Sequence, residues 1–381
     1  MVAAIAVRWA RHADELERAV RELRAASAVA VDTEGDSLHH YPERLALVQL
    51  AVPAGDVWIV DPLALADLTP LAPIFAEPAI ELVLHAGDND LAHLKRRHGF
   101  AFTSLFDTAI AARFLGGHAL GLDVLLETHL GVTLPPSRQK DDWSARPLSA
   151  AQLEYAASDV RHLFALETRL REELASVGRL DWVLEECAAL AAQPMPPRTQ
   201  DPDAYVGLKG ARDLPSRGLA VLRELHALRE ELAIAADRPP FKILSHDTLL
   251  ALARATPRDA PGLAQVPGLT PRVIGRVGFA ILGAIERGLA LPELELPVLL
   301  RRPRPVIPPG VSRRVEALRQ WRAGAITRVG LEPGVLLPNR LISVIAEADP
   351  RSPEELARVD GVRRWRAETF GSEIVAALAG P

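Results

Sequence analysis

Ala28-Val29-Ala30-Val31-Asp32-Thr33-Glu34-Gly35 joins a short apolar run to two carboxylates and a glycine. The run Ala28–Val31 reads as a buried strand. Side chains two apart on a strand share a face, so Asp32 and Glu34 converge on one point. Two acids at the tip of an apolar strand repel once they lose water, and a divalent cation is one remedy. A solvated turn starting at Gly35 is the plain alternative, and the tripeptide alone does not choose between them.

Around this strand the chain alternates helical and extended patterns. A helix is expected over Ala13–Ala26. Leu45–Val52 and Val57–Val60 read as strands close enough to be antiparallel neighbours, and Ile80–Leu84 as another strand, with a helix starting near Asp88. Thr108–Leu115, Gly121–Leu130 and Ser149–Val177 read as helices. The result is a mixed-sheet α/β domain. Two proline-rich stretches, Gln193–Pro202 and Leu291–Gly310, break the periodicity. They divide the chain into blocks 1–190, 207–290 and 311–381. The later blocks have almost no strand signal. Each opens on a helix, Ser216–Ala236 or Val311–Arg322, and each carries a glycine-marked turn, Val266-Pro267-Gly268-Leu269 or Val359-Asp360-Gly361-Val362. They read as degenerate copies of one helical bundle.

Composition sets the class. Of 381 residues, 49% are hydrophobic and 24% charged, the balance of a folded protein. One cysteine, Cys187, excludes an internal disulfide and a thiolate zinc cage and favours a reducing compartment. The first eleven residues lack the basic flank and long apolar run of a signal peptide, and no stretch approaches the roughly 18 apolar residues of a membrane span. A cytoplasmic protein is expected. Net charge is −5, yet residues 204–381 hold 26 Lys+Arg against 19 Asp+Glu, a net of +7, leaving 18 against 30, a net of −12, in residues 1–203. An acidic half beside a basic half suits metal binding in one and polyanion binding in the other; drift in surface charge is the bland account.

Two further segments carry candidate chemistry. His85-Ala86-Gly87-Asp88-Asn89-Asp90-Leu91 places acids at a helix start. Asp88 suits a cap, Asp90 suits either the helix dipole or a metal, and His85 reads as a structural neighbour. In Tyr155-Ala156-Ala157-Ser158-Asp159 a phenol and a carboxylate share a helix face, a spacing that chance also supplies.

Taken together, these three segments resemble the DEDDy exonuclease pattern in order and placement. The match extends to the ribonuclease D family through Tyr41-Pro42-Glu43, Leu47-Val48-Gln49-Leu50, Ile59-Val60-Asp61-Pro62-Leu63 and Asp142-Trp143-Ser144-Ala145-Arg146-Pro147-Leu148 leading into Glu154–Val160. Downstream, Leu228-Arg229-Glu230, Asp237–Leu244 and the Val266-Pro267-Gly268 turn resemble an HRDC domain, and 311–381 a more diverged copy. The resemblance implies an α/β ribonuclease H-like exonuclease domain with mixed sheet, followed by two all-α helical HRDC-like domains. One departure is Gly35, where family members often carry a bulky residue able to contact the terminal base.

The resemblance further implies that Asp32, Glu34, Asp90 and Asp159 hold two divalent cations, and four hard carboxylates suit Mg²⁺ or Mn²⁺. Tyr155 would aim the attacking water, since a phenol is a poor base at neutral pH. The implied activity is 3′→5′ hydrolysis of RNA with a free 3′ end, tRNA precursors among the candidates, releasing nucleoside 5′-monophosphates. No membrane partner is expected, and the oligomeric state stays open. Arg272 and Arg276, and Arg363, Arg364 and Arg366, flank the glycine turns as candidate nucleic-acid contacts; Trp321 and Trp365 suit core or base stacking. Two alternatives stay open: a DNA exonuclease with the same chemistry, and a non-catalytic RNA-binding adaptor.

Overall fold

The computed structural model describes residues 6–196, 201–299 and 307–380. Residues 197–200 and 300–306 of the two proline-rich linkers, with 1–5 and 381, lie outside the described residues. The chain packs as two compact units. One comprises Met1–Glu34, Leu45–Pro197 and Pro305–Pro381; the other comprises Gly35–Arg44 and Arg198–Arg304.

In the first unit the order is β1 (Val7–Ala10), α1 (Ala13–Arg24), β2 (Ala28–Gly35), β3 (Leu45–Ala51), β4 (Val57–Val60), α2 (Ala72–Phe75), β5 (Glu81–Leu84), α3 (Asp88–His98), β6 (Leu105–Asp107), α4 (Thr108–Phe114), α5 (Leu122–Leu130), α6 (Ala150–Arg161), α7 (Leu163–Ser176) and α8 (Leu180–Ala192). The strands form one sheet in the order β1-β4-β3-β2-β5-β6. Pairs β1–β4, β2–β5 and β5–β6 are parallel and β3–β4 is antiparallel, so the sheet is mixed as expected.

Alternation along the strands builds two apolar layers. Val29, Val31, Val48, Leu50, Trp58, Val60, Leu82 and Leu84 enter a core shared with α1, α3, α7 and α8. Ala30, Leu47, Ala51, Val57, Ile59 and Val83 face the other way, under Tyr155, Ala156, Ala157 and Val160 of α6. Strand β2 runs on past its apolar residues to Gly35, so Asp32 and Glu34 lie within the strand and a turn does not begin there. The helix expected over 149–177 is two helices, broken at His162. A straight helix cannot serve both layers: α6 covers β3 and β4, while α7 packs on β5, α4 and α5. No helix among the described residues is long and apolar enough to cross a membrane.

The second unit holds α9 (Ser216–Ala235), α10 (Pro240–Ile243), α11 (His246–Ala255), α12 (Ala260–Ala264) and α13 (Pro271–Ala290). The third block repeats the plan with α14 (Pro309–Val329), α15 (Pro333–Leu336), α16 (Asn339–Ala348), α17 (Pro353–Leu356) and α18 (Arg364–Ala379). Each copy is long, short, medium, short, long. In each the glycine of the turn before the last helix takes a left-handed backbone, Gly268 at φ 89° and Gly361 at φ 82°, a region that favours glycine.

The third block shares the first core. Trp365 of α18 stacks on Trp182 of α8 with ring centroids 4.6 Å apart, and Phe114 meets its edge at 5.4 Å. Glu185 accepts the amides of Arg364 at 2.6 Å and Trp365 at 2.9 Å, supplying acceptors that a helix N-terminus lacks. Glu186 accepts Arg366 Nη1 at 2.7 Å, Trp365 Nε1 at 3.1 Å and Arg363 Nε at 3.2 Å. Arg366 is buried, and its other N–H groups reach the carbonyls of Leu336 and Val335. Replacing Glu186 with Ala strands that guanidinium. We expect a loss of about 3–5 kcal/mol, read from urea unfolding; an unchanged midpoint would show that the pair does not hold the block.

Candidate active site and metal centre

By strand alternation Asp32 and Glu34 follow Ala30 onto the α6 side of the sheet. Helix α6 starts with a capping box, the Ser149 hydroxyl accepting Gln152 N at 3.2 Å while Ser149 N donates to Gln152 Oε1 at 3.0 Å. One turn apart on this helix, Tyr155 and Asp159 face β2. The loop before α6 is pinned by Arg146, whose Nε and Nη2 fork onto Asp61 at 2.8 and 2.9 Å. Arg146 also donates to the carbonyls of Trp143 at 2.6 Å and Ala46 at 3.1 Å. Trp143 is fully buried, its ring centroid 6.0 Å from that of Tyr155, and so backs the phenol.

Asp32, Glu34 and Asp159 each offer a carboxylate oxygen, and these lie within 4.8 Å of one another. Asp90 reaches the group from α3, on the other side of the sheet. Thr33 points that way by alternation, and its hydroxyl donates to Asp90 Oδ1. Asp90 therefore sits beside the three-carboxylate group, held to the same strand. His85 has a structural contact, a hydrogen bond between Nδ1 and Thr108 Oγ1 at 2.9 Å. The cap position of α3 is Gly87, not Asp88, which is the exposed first residue of the helix.

Asp107, which sequence reasoning missed, organises this end of the sheet. Fully buried at the end of β6, it accepts Ala86 N at 3.2 Å, Gly87 N at 2.8 Å, Ala109 N at 2.8 Å and Ile110 N at 3.0 Å. One carboxylate thus serves the starts of α3 and α4 and fixes the turn that presents Asp90. The available signal was an Asp directly before a helix, the usual cap pattern.

Burial raises every acid of the group. Burial holds Asp32 well above the usual carboxylate range, with Asp90, Asp159 and Glu34 adding repulsion. Burial pushes Glu34 up to about 9, with Asp159, Asp90 and Asp141 contributing. Asp159 rises to about 7 through burial, against the hydrogen bond from Tyr155. Asp90 rises to about 6 through burial, against the Thr33 hydroxyl. The Tyr155 phenol is also raised, by burial first and then by Asp159 and Glu34. A cluster of oxygen ligands that repel one another and resist ionisation fits a divalent cation, which would restore the charge balance.

The arginines expected to meet nucleic acid divide. Arg366 departs from that expectation: it is buried on Glu186 and does not face solvent. Arg363 is half-buried on the same carboxylate. Arg364 is exposed, 3.6 Å from Glu368. Trp365 is core, and Trp321 donates to Glu373 at 2.8 Å. Arg272 and Arg276 are exposed on α13. Phe279, three residues further on, is 93% exposed. Sequence reasoning passed over it, although its spacing from Arg272 and Arg276 puts all three on one helix face.

Comparison with known proteins adds independent findings. Residues 7–175 match the family model of a 3′-5′ exonuclease, and 218–285 and 312–378 each match the HRDC domain. The chain is 34% identical to ribonuclease D of Pseudomonas paraeruginosa over 384 residues, covering 99% of both. It is 33% identical to ribonuclease D of Escherichia coli over 285 residues, 74% of this chain and 76% of the relative. The crystal structure of E. coli RNase D, described as an exoribonuclease involved in structured RNA processing, superposes with a TM-score of 0.71 at 27% identity, covering 98% of this chain and 99% of that one.

The raised carboxyls give a signed expectation. In chelator the folded chain keeps protons that the unfolded chain releases near the ordinary carboxylate range. Stability should therefore fall as pH climbs from about 4 through the folded values of about 6, 7 and 9. Saturating Mn²⁺ should offset the loss, by about 2.7 kcal/mol at a hundredfold excess over its dissociation constant. Thermal unfolding across that pH range, with and without Mn²⁺, measures both; stability that rises with pH in chelator would contradict the electrostatic account.

Proposed function

The chain belongs to the ribonuclease D family and is a 3′→5′ exoribonuclease, and from that premise we propose that Asp32, Glu34, Asp90 and Asp159 hold two Mg²⁺ or Mn²⁺ ions at which the terminal phosphodiester of RNA is hydrolysed. The observation that carries this reading is the convergence of three carboxylates within 4.8 Å, with Tyr155 hydrogen-bonded to one of them. Divalent cations held by these carboxylates would supply Lewis acidity, for acidifying water and for offsetting charge on the departing 3′ oxygen.

The protein's own groups do the rest. The carboxylates fix where the cations stand, and Asp107 and Thr33 keep Asp90 with the other three. Tyr155 keeps its proton at neutral pH and donates it in a hydrogen bond to Asp159, so its hydroxyl oxygen is left to position the attacking water and the phenol does not act as a base. Trp143 behind it limits its freedom to turn. The products are nucleoside 5′-monophosphates.

The substrate is RNA with a free 3′ end. Structured precursors such as tRNA suit the basic helical blocks, and E. coli RNase D acts in structured RNA processing. The exposed face of α13 fits single-stranded RNA: Phe279 offers a stacking surface, and Arg272 and Arg276 offer charge to phosphates. A reducing compartment, the cytoplasm, suits a single buried free cysteine.

Digestion of end-labelled RNA and DNA with Mg²⁺, Mn²⁺ or chelator tests the reading. Asp32→Asn or Asp159→Asn should abolish hydrolysis in a folded protein, and Tyr155→Phe should weaken it less; near-normal turnover in Asp32→Asn would sink the metal assignment. Phe279→Ala should weaken binding of long RNA by about 1–3 kcal/mol while sparing turnover of a short oligonucleotide. Unchanged affinity for long RNA would remove α13 from the binding surface.

A further inference from the structure

The connection between β2 and β3 leaves the catalytic strand one residue after Glu34. Residues Gly35–Arg44 pack as part of the second unit. The base of this loop is closed on itself. Asp36 is 1% exposed, and it accepts Arg44 N and Arg44 Nε, each at 2.7 Å, while its own N–H donates to Arg44 O at 3.2 Å. The tip is held from outside. Tyr41 N donates to Asp237 Oδ1 at 3.1 Å, and His40 Nδ1 lies 2.7 Å from Asp237 Oδ2. The Tyr41 hydroxyl donates to Glu230, and its ring packs against the core of the helical module.

Neither acid is placed to favour its own helix. Glu230 lies in the C-terminal half of α9 and Asp237 comes just after its end, where negative charge works against the helix dipole. Asp237 also takes a left-handed backbone, φ 46°, a conformation uncommon for a residue with a side chain. Glu230 accepts Arg229 Nη2 at 2.9 Å with one oxygen and the Tyr41 hydroxyl with the other, while Asp237 takes its contacts from the loop. The joint between loop and active site is Gly35, the residue type with the greatest backbone freedom. A strand end that stops at glycine holds its last acid firmly only if the loop beyond the glycine is itself fixed.

We propose that Asp237 and Glu230 are positioning residues for hydrolysis: by gripping residues 40 and 41 they fix the loop that continues from Glu34, and so the first helical module sets the geometry of the metal centre. This rests on reading Asp32, Glu34, Asp90 and Asp159 as that centre. It gives the module a task separate from any RNA contact on α13, and it assigns Tyr41, from the nuclease segment, the part of a latch.

The test uses the full chain and three variants, Asp237→Ala, Asp237→Asn and Tyr41→Phe. Mn²⁺ binding is measured by calorimetry, and kcat and KM are measured on a short single-stranded oligoribonucleotide. Asp237→Ala and Tyr41→Phe should each weaken Mn²⁺ binding and lower kcat, by about tenfold for the larger effect, with KM for the short substrate little changed. Asp237→Asn keeps an acceptor for Tyr41 N and should recover part of the loss. Wild-type Mn²⁺ affinity and kcat in Asp237→Ala and Tyr41→Phe would overturn the proposal, as would a defect confined to KM for long RNA. If Asp237→Ala fails to fold, Tyr41→Phe decides, since it removes one oxygen. A wild-type chain that neither binds Mn²⁺ nor hydrolyses RNA would instead overturn the metal-centre reading itself.

Discussion

Like charges crowded where water is scarce are the constraint that the rest of this molecule is arranged around. Four carboxyls meet at one end of a sheet, and without help they would separate or stay protonated. The surrounding structure denies them the first escape. Thr33 ties Asp90 to the strand that bears Asp32 and Glu34. Asp107 locks the turn behind Asp90 by taking four amides. The Arg146–Asp61 fork fixes the loop that leads into α6 and thereby Asp159. The acids are thus gathered by the fold itself, ready for the cations proposed above.

Much of this was legible in the sequence, because the acids come in short segments of regular structure whose periodicity announces their direction. Asp32 and Glu34 by twos on a strand, and Tyr155 and Asp159 by fours on a helix, needed only local geometry. The features that escaped notice were either too short or too distant. Strand β6 has three residues, too few for any pattern, and β1 was hidden in an N-terminal run read only for targeting signals. Arg363 and Arg366 looked like surface charge because nothing nearby in sequence opposes them; Glu185 and Glu186 lie some 180 positions away and become neighbours only by tertiary packing. Phe279 was overlooked for the opposite reason, since an aromatic in an apolar helix is ordinarily core.

The two helical blocks show how one plan supports different uses. Both keep the same succession of five helices and the same glycine turn. In the third block the residues after that turn are consumed by Glu185 and Glu186, and the module becomes part of the nuclease core. In the second block the corresponding helix keeps its arginines and a phenylalanine in solvent, while the far end of α9 takes hold of a loop from the catalytic sheet. Fold alone would not have separated these roles; the partners of individual side chains do.

The stacked indoles of Trp182 and Trp365 also have a consequence in time. A ribosome makes Trp182 long before Trp365, and at about 5–20 residues per second the interval is about 10–40 s. Throughout that interval the part of α8 that Trp365 stacks on lacks this cover in the growing chain. A newborn molecule is therefore stickiest when its catalytic half is already out and its last block is still unmade, the stage at which a chaperone or a pause in synthesis would matter most.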